Sequence, residues 1–271
     1  MTTIPRPAAR ALLATALVSA VLSGCTDSSA DASAGARADG PAAGKAAGKP
    51  DTTAGVTLAA TLDSPIDITL RWSGRDPGAA GHVVEFATER QGPYTVLQFA
   101  PPGRRAYTHP DLIPMTPFYY RLRPYYGPAS DAVGIALPPG GFGERDQRKD
   151  HGWAEPRKLP GDEGAGAPRY PVTGGPDRAA APTELEATVM HANGVKLTWQ
   201  DHARDEVGYL IEIRPAGERE YRVAAVLDAD IESAGLITLP QEKKAAIRVR
   251  PLRYGQQSNI VHRTTGAETS G

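Results

Sequence analysis

The sequence predicts an all-β chain built from two copies of one sandwich module. Two observations carry that expectation. The first is period-two alternation: Val195, Leu197 and Trp199 alternate with polar residues, as do Tyr209, Ile211 and Ile213, with a polar stretch at 201–206 between them. Alternation over five residues on each side is the mark of two half-buried strands joined by a loop. The second is repetition. The upstream stretch Ile68-Thr-Leu-Arg-Trp72 followed by Val83-Val-Glu-Phe86 has the same pattern, and Trp72 and Trp199 stand 127 residues apart.

That offset holds along the chain. Leu58 and Leu185, Leu70 and Leu197, Glu85 and Glu212, Tyr94 and Tyr221, and Leu112 and Leu239 are each 127 apart. Arg121-Leu-Arg-Pro124 maps onto Arg248-Val-Arg-Pro251 in the same register. A shared register of this length indicates an internal duplication, with each copy one domain.

The residues that repeat are a Trp on the second strand, a Tyr-Leu-Ile-Glu type third strand, Tyr94 or Tyr221 after a turn, and an Arg-apolar-Arg sixth strand. The Leu112–Thr116 run and a Ser before the last strand (Ser130, Ser258) complete the set. Together they resemble the fibronectin type III module. The resemblance covers about two thirds of the chain. It implies two seven-stranded, immunoglobulin-like β-sandwiches of roughly 90–100 residues each. It implies nothing specific about activity, since the module hosts many functions. There are departures. The corner tyrosine of the family falls at Phe118 in the first copy and at Ala245 in the second, and His82 stands where Tyr209 stands.

In chain order, residues 1–24 read as a lipoprotein signal peptide. Arg6 and Arg10 form a positive start, residues 11–22 are an apolar run too short to span a bilayer, and Leu22-Ser-Gly-Cys25 ends it. The motif is similar to the lipobox of bacterial lipoproteins, which implies a diacylglycerol on the Cys25 thiol and further acylation. Two or more acyl chains hold a protein on a membrane stably. The expected address is therefore the extracytoplasmic face of the cell membrane. Cys25 is the chain's single Cys, so no intrachain disulfide is available. Residues 26–54 are rich in Ala, Gly, Ser and Asp and hold no aromatic residue, the composition of a disordered tether about 30 Å end to end.

The first module spans 55–137, with strands expected near 56–62, 66–72, 82–88, 95–98, 105–108, 118–124 and 131–136. Residues 138–181 hold seven Pro and nine Gly and are expected to be a disordered linker between domains. The second module spans 182–264, and 265–271 is a polar tail.

Few residues invite chemistry. Glu85, Arg121 and Arg123, with their counterparts Glu212, Arg248 and Arg250, fall on neighbouring strands with outward parity. They are expected to form solvent-facing cross-strand pairs worth about 0.2–1 kcal/mol. Tyr119, Tyr125 and Tyr126 are candidate binding residues, because tyrosines on a rigid sheet edge stack on sugars or anchor protein partners. Asp201, Asp205 and Glu206 crowd one loop, but His202 and Arg204 interrupt them and the spacing fits no calcium loop, so no metal is assigned. No His-Glu-x-x-His, Gly-x-Ser-x-Gly or phosphate-cradling Gly loop occurs. A net charge of −1 argues against a nucleic-acid surface. The expectation is a non-enzymatic, cofactor-free binding or adhesion protein held on the membrane through Cys25, engaging an envelope protein or carbohydrate. The alternative is a spacer or accessory subunit without its own ligand.

Overall fold

The computed structural model describes residues 55–141, 151–159, 167–175 and 178–267. Cys25, the signal segment and the tether lie outside the described residues, as do the tail from 268 onward and parts of the linker. Among the described residues the alternating runs become fourteen strands. The first half contributes β1 (Thr57–Ser64), β2 (Asp67–Ser73), β3 (Gly81–Ala87), β4 (Thr95–Ala100), β5 (Ala106–His109), β6 (Pro117–Tyr126) and β7 (Val133–Ala136). The second contributes β8 (Thr183–His191), β9 (Gly194–Gln200), β10 (Gly208–Pro215), β11 (Arg222–Leu227), β12 (Ser233–Ile237), β13 (Lys244–Tyr254) and β14 (Val261–Thr264). Each expected strand of the first module is present within a few residues of its place.

Each half forms a sandwich of two sheets. The small sheets are β1-β2-β5 and β12-β9-β8. The larger sheets run together into one eight-stranded sheet in which β11-β10-β13 continues into β6-β3-β4. Inward residues follow the predicted alternation. Leu58, Ile68, Leu70, Trp72, Val84, Phe118, Tyr120 and Leu122 fill one core, while Val195, Leu197, Trp199, Tyr209, Ile211, Ile213, Ile247 and Val249 fill the other.

The seventh strands depart from the sequence-based domain boundaries. β7 belongs by sequence to the first module, yet it pairs with β13 of the second, with Ile135 opposite Ala245 and Val133 opposite Ile247. β14 in turn pairs with β6 of the first, Val261 opposite Tyr120 and His262 opposite Tyr119. Ile135 and Leu137 are buried in the second core, and Val261 packs on the first. The halves have exchanged their last strands.

The turn that leads into each exchanged strand is fixed in the same way twice. Leu122 N–H donates to Ser258 Oγ (2.9 Å), and Val249 N–H donates to Ser130 Oγ (3.0 Å). Ser258 N–H donates to Leu122 O and Ser130 N–H to Val249 O, both at 2.8 Å. Leu122 and Val249 are 127 apart, so the two crossings are equivalent. The direct β6–β13 contact obeys the same symmetry, because Tyr126 faces Arg253 and these two are also 127 apart. A pseudo-twofold axis therefore passes between them. Around it the outer faces meet in an apolar cluster of Val83, Tyr125, Leu210 and Leu252, flanked by Val96 and Val223.

The linker also differs from the expected free coil. Among its described residues, Gly152–Ala154 form a 3-10 turn, and Arg157 adds to the edge of β12 by exchanging backbone hydrogen bonds with Ser233 at 2.7 and 2.9 Å. The turn lies on Gly194 and Gly235: a Cβ at Gly235 would sit 2.3 Å from Ala154 Cα, and one at Gly194 would sit 2.7 Å from the Trp153 ring. Further on, Tyr170 N–H donates to His202 O (2.7 Å). Pro and Gly prevent regular structure but leave irregular backbone free to satisfy its hydrogen bonds on a neighbouring strand edge.

In the first module the corner position holds Phe118, buried in the core. The polar contact comes instead from Tyr120, whose hydroxyl bonds His109 Nδ1 at 3.1 Å. The His109 ring stands among Phe86, Phe118 and Tyr120, with centroids at 5.1, 6.2 and 5.9 Å.

Two outcomes are expected from this architecture. Ile135→Ala should cost about 2–4 kcal/mol. In hydrogen exchange the loss of protection should fall on β10 and β13, although residue 135 belongs by sequence to the first module. Deprotection centred on β3 and β6 would contradict the exchange. The second concerns pH. Burial lowers the His109 imidazole to about 4 from its ordinary 6.5. Above pH 6.5 the ring is neutral folded and unfolded. As pH falls from 6.5 towards 4 the unfolded chain takes up the proton first, so stability declines across that window. The melting temperature should fall more steeply there for the wild type than for His109→Gln; parallel curves would show that His109 contributes nothing.

Candidate functional site

The most polar part of the junction is built on the Glu–Arg pairs. Their parity is as the alternation requires, since Glu85 faces Arg121 and Glu212 faces Arg248 across the ladders. Their exposure is not. Glu85 is 2 % and Glu212 4 % exposed. Glu85 accepts from Arg121 Nε (2.8 Å) and from Arg123 Nη2 (2.6 Å). Glu212 accepts from Arg248 Nε (2.5 Å) and from Arg250 Nε (3.2 Å). Each cluster holds a buried carboxylate between two arginines that are at most partly exposed, which corrects the expectation of weak, solvent-facing surface pairs.

Aromatic rings provide the cover. The Arg121 guanidinium lies 4.0 Å from the Tyr94 centroid, and that of Arg248 lies 3.9 Å from Tyr221, its counterpart. The second cover crosses the junction: Arg123 of the first module stacks at 3.8 Å on Tyr254 of the second. A guanidinium is planar and weakly hydrated, so it can lie on a ring face and still donate in its own plane. The sequence contained all these residues. Only the folding of one module's outer face onto the other buries them.

The three candidate tyrosines do not form one patch. Tyr119 is half-buried and stacks on His262 of β14, with centroids 5.2 Å apart. Tyr125 is buried in the junction, edge-on to Phe99 at 5.5 Å, and burial pushes its phenol up to about 12. Tyr126 packs beside Val172, Ala180 and Ala203. Tyr125 is 3% exposed, covered by the apolar cluster of the junction, and only borders a small pocket there.

The carboxylate loop is also occupied from within. Asp201 is 1 % exposed and accepts from the Tyr209 hydroxyl and from Ala203 N–H. Arg169 of the linker lies 2.8 Å from Asp201 and 2.7 Å from Asp230. Asp201, Glu206 and Asp230 converge within 4.8 Å, but the Arg169 guanidinium already stands among them. Asp205 turns instead to Val172 N–H (2.7 Å) and Arg253 (2.9 Å). In the first module His82, the counterpart of Tyr209, pairs instead through Nε2 with Asp76 at 3.1 Å.

Among the described residues a cleft of about 590 Å³ opens beside the start of β8. Asp131, Tyr170, Arg178, Glu184, Leu185 and His202 border it. Its size is that of a small-ligand site. Sequence reading missed it because its walls come from three distant segments: the approach to β7, the linker and the loop after β9. No single stretch carries its signature.

The ion clusters give a direct test. Glu212→Ala strands two arginines in a covered site and should lower stability by about 3–5 kcal/mol. Chemical denaturation of the variant would measure it, and a loss below about 1 kcal/mol would restore the surface-pair reading.

No family model matches the chain, and no curated protein does. Solved structures similar to it carry fibronectin type III domains. A Fn3-like protein from Clostridium thermocellum is 31% identical over 25% of this chain and 69% of its own, with a TM-score of 0.23. A two-domain fibronectin type III segment of chicken tenascin is 10% identical and covers 78% of this chain and 97% of its own, with a TM-score of 0.25. The FN1–FN3 domains of chicken CNTN1 are 14% identical over 78% of this chain and 66% of theirs, also with a TM-score of 0.25. By strand order, β1-β2-β5 against β4-β3-β6-β14 and β8-β9-β12 against β11-β10-β13-β7, both halves are fibronectin type III-like β-sandwiches.

Proposed function

We propose that this chain is a non-enzymatic extracytoplasmic binding protein, anchored on the membrane through lipidated Cys25, whose joined sandwiches present a site to an envelope glycan or protein. The observation that carries the binding reading is the cleft of about 590 Å³, with ionisable side chains at its rim and an aromatic ring beside them. Clefts that size with convergent polar groups are the usual form of a small-molecule or glycan site. The second reading is a rigid spacer without its own ligand. It is favoured by the exchange of β7 and β14, which joins two modules that a free linker would leave independent.

The anchor follows from the Leu22-Ser-Gly-Cys25 motif. Cys25→Ser should move the chain from the membrane pellet to the soluble fraction on cell fractionation; a variant that stays in the pellet overturns the anchor. Cross-linking of the full lipidated chain in its own membranes separates the two functional readings. A recovered glycan or protein supports binding, and a chain that cross-links to nothing supports the spacer.

A further inference from the structure

The pseudo-twofold symmetry is broken beside the cleft. In the first module Asn259 closes the gap between the exchanged strand and β1. Leu58 N–H donates to Asn259 Oδ1 (2.8 Å), and Asn259 Nδ2 donates back to Leu58 O (2.9 Å). One carboxamide thus satisfies both a donor and an acceptor of the strand edge.

The equivalent of Asn259 in the second module is Asp131. Each follows the serine that holds a crossing, and each serine hydroxyl donates to the carbonyl of that next residue, at 2.8 Å for Asn259 and 2.7 Å for Asp131. The equivalent of Leu58 is Leu185, by the offset of 127. A carboxylate cannot donate to a carbonyl. The Asp131 side chain is 99% exposed and pairs with Arg178 at 3.2 Å. Leu185 lies in the irregularity between Thr183 and Glu186 and has no partner on β9 in the register. Glu184 beside it has φ 54, a left-handed conformation. The gap that an amide fills in one module is thereby open in the other, and the cleft occupies it.

We infer that this cleft binds an N-acetylated amino sugar within a glycan, its acetamido group taking at Leu185 the place that the Asn259 carboxamide takes at Leu58. The acetamido group supplies the same adjacent donor and acceptor. A single carboxamide serves Leu58, so the equivalent slot at Leu185 suits a single amide. The rest of the rim suits hydroxyl groups: Asp131 and Glu184 accept from them, Arg178 donates, and Tyr170 and His202 border the same space. The exposed Asp131–Arg178 pair costs little to rearrange on binding.

The inference rests on the binding reading above and fails separately from it. Calorimetric titration of the full chain in detergent would use three probes: the N-acetylglucosamine tetramer, its de-N-acetylated counterpart and an N-acetylated tetra-alanine amide. The N-acetylated tetramer should bind saturably, and the de-N-acetylated one at least about tenfold more weakly. Asp131→Asn restores a carboxamide opposite Leu185. It should abolish the preference for the acetylated sugar without lowering the melting temperature. Asp131→Ala leaves the slot open and should keep the preference. Equal binding of the two tetramers, or an undiminished preference in Asp131→Asn, overturns the slot and leaves the binding reading standing. Tighter binding of the peptide overturns the sugar assignment. Failure of all three probes to bind overturns the inference, and cross-linking in native membranes then decides the binding reading alone.

Discussion

The pairing of β7 with β13 and of β14 with β6 is the constraint on which the rest depends. A sandwich of this type is completed by its seventh strand, which covers the edge of the sixth and adds apolar side chains to the core. Here each module receives that strand from the other. Neither core is therefore complete within one contiguous half of the sequence, and Ile135 and Leu137 are the clearest evidence, buried among residues more than fifty positions downstream. The consequence is mechanical. Two modules that share strands and a continuous sheet have a fixed mutual orientation, and the linker needs no stiffness of its own to maintain it.

The buried ion clusters follow from the same arrangement. A carboxylate and two guanidinium groups on the outer face of a lone sandwich would be in water and worth little. Here the outer faces meet around the pseudo-twofold axis, so Val83, Leu210 and Tyr125 lie at the apolar centre of the junction while Glu85 and Glu212 are enclosed beside it. Desolvation makes each cluster acceptable only because the geometry is complete, with two guanidinium groups for each carboxylate and rings beneath Arg121, Arg123 and Arg248. Such clusters add orientation more than affinity, because a shifted register would leave buried charges without partners.

The linker closes the second module and helps create the cleft. Its Arg157 extends the β12 edge, its Arg169 neutralises Asp201 and Asp230, and Tyr170 and Arg178 form part of the cleft wall. The same segment that composition marks as a domain boundary thus supplies residues to the candidate site. Together with the change from Asn259 to Asp131, it distinguishes two halves that are otherwise close copies.

By itself the sequence determined the repeated module, its strands and the inward face of each strand. Alternation and a constant offset are local signals, and burial on one side of a pleated strand is enforced by the nearest neighbours in the chain. The Glu–Arg pairings were legible for that reason, and so was the equivalence of His82 with Tyr209. Which module each seventh strand completes was decided only by the tertiary structure. β7 has the same alternation whether it returns to β6 or crosses to β13, since equivalent sixth strands offer equivalent edges. The exposure of Glu212, Tyr125 and the linker depended on that choice, as did the cleft. Burial of an outward face is a property of what packs against it, and here the packing partner lies 127 residues away.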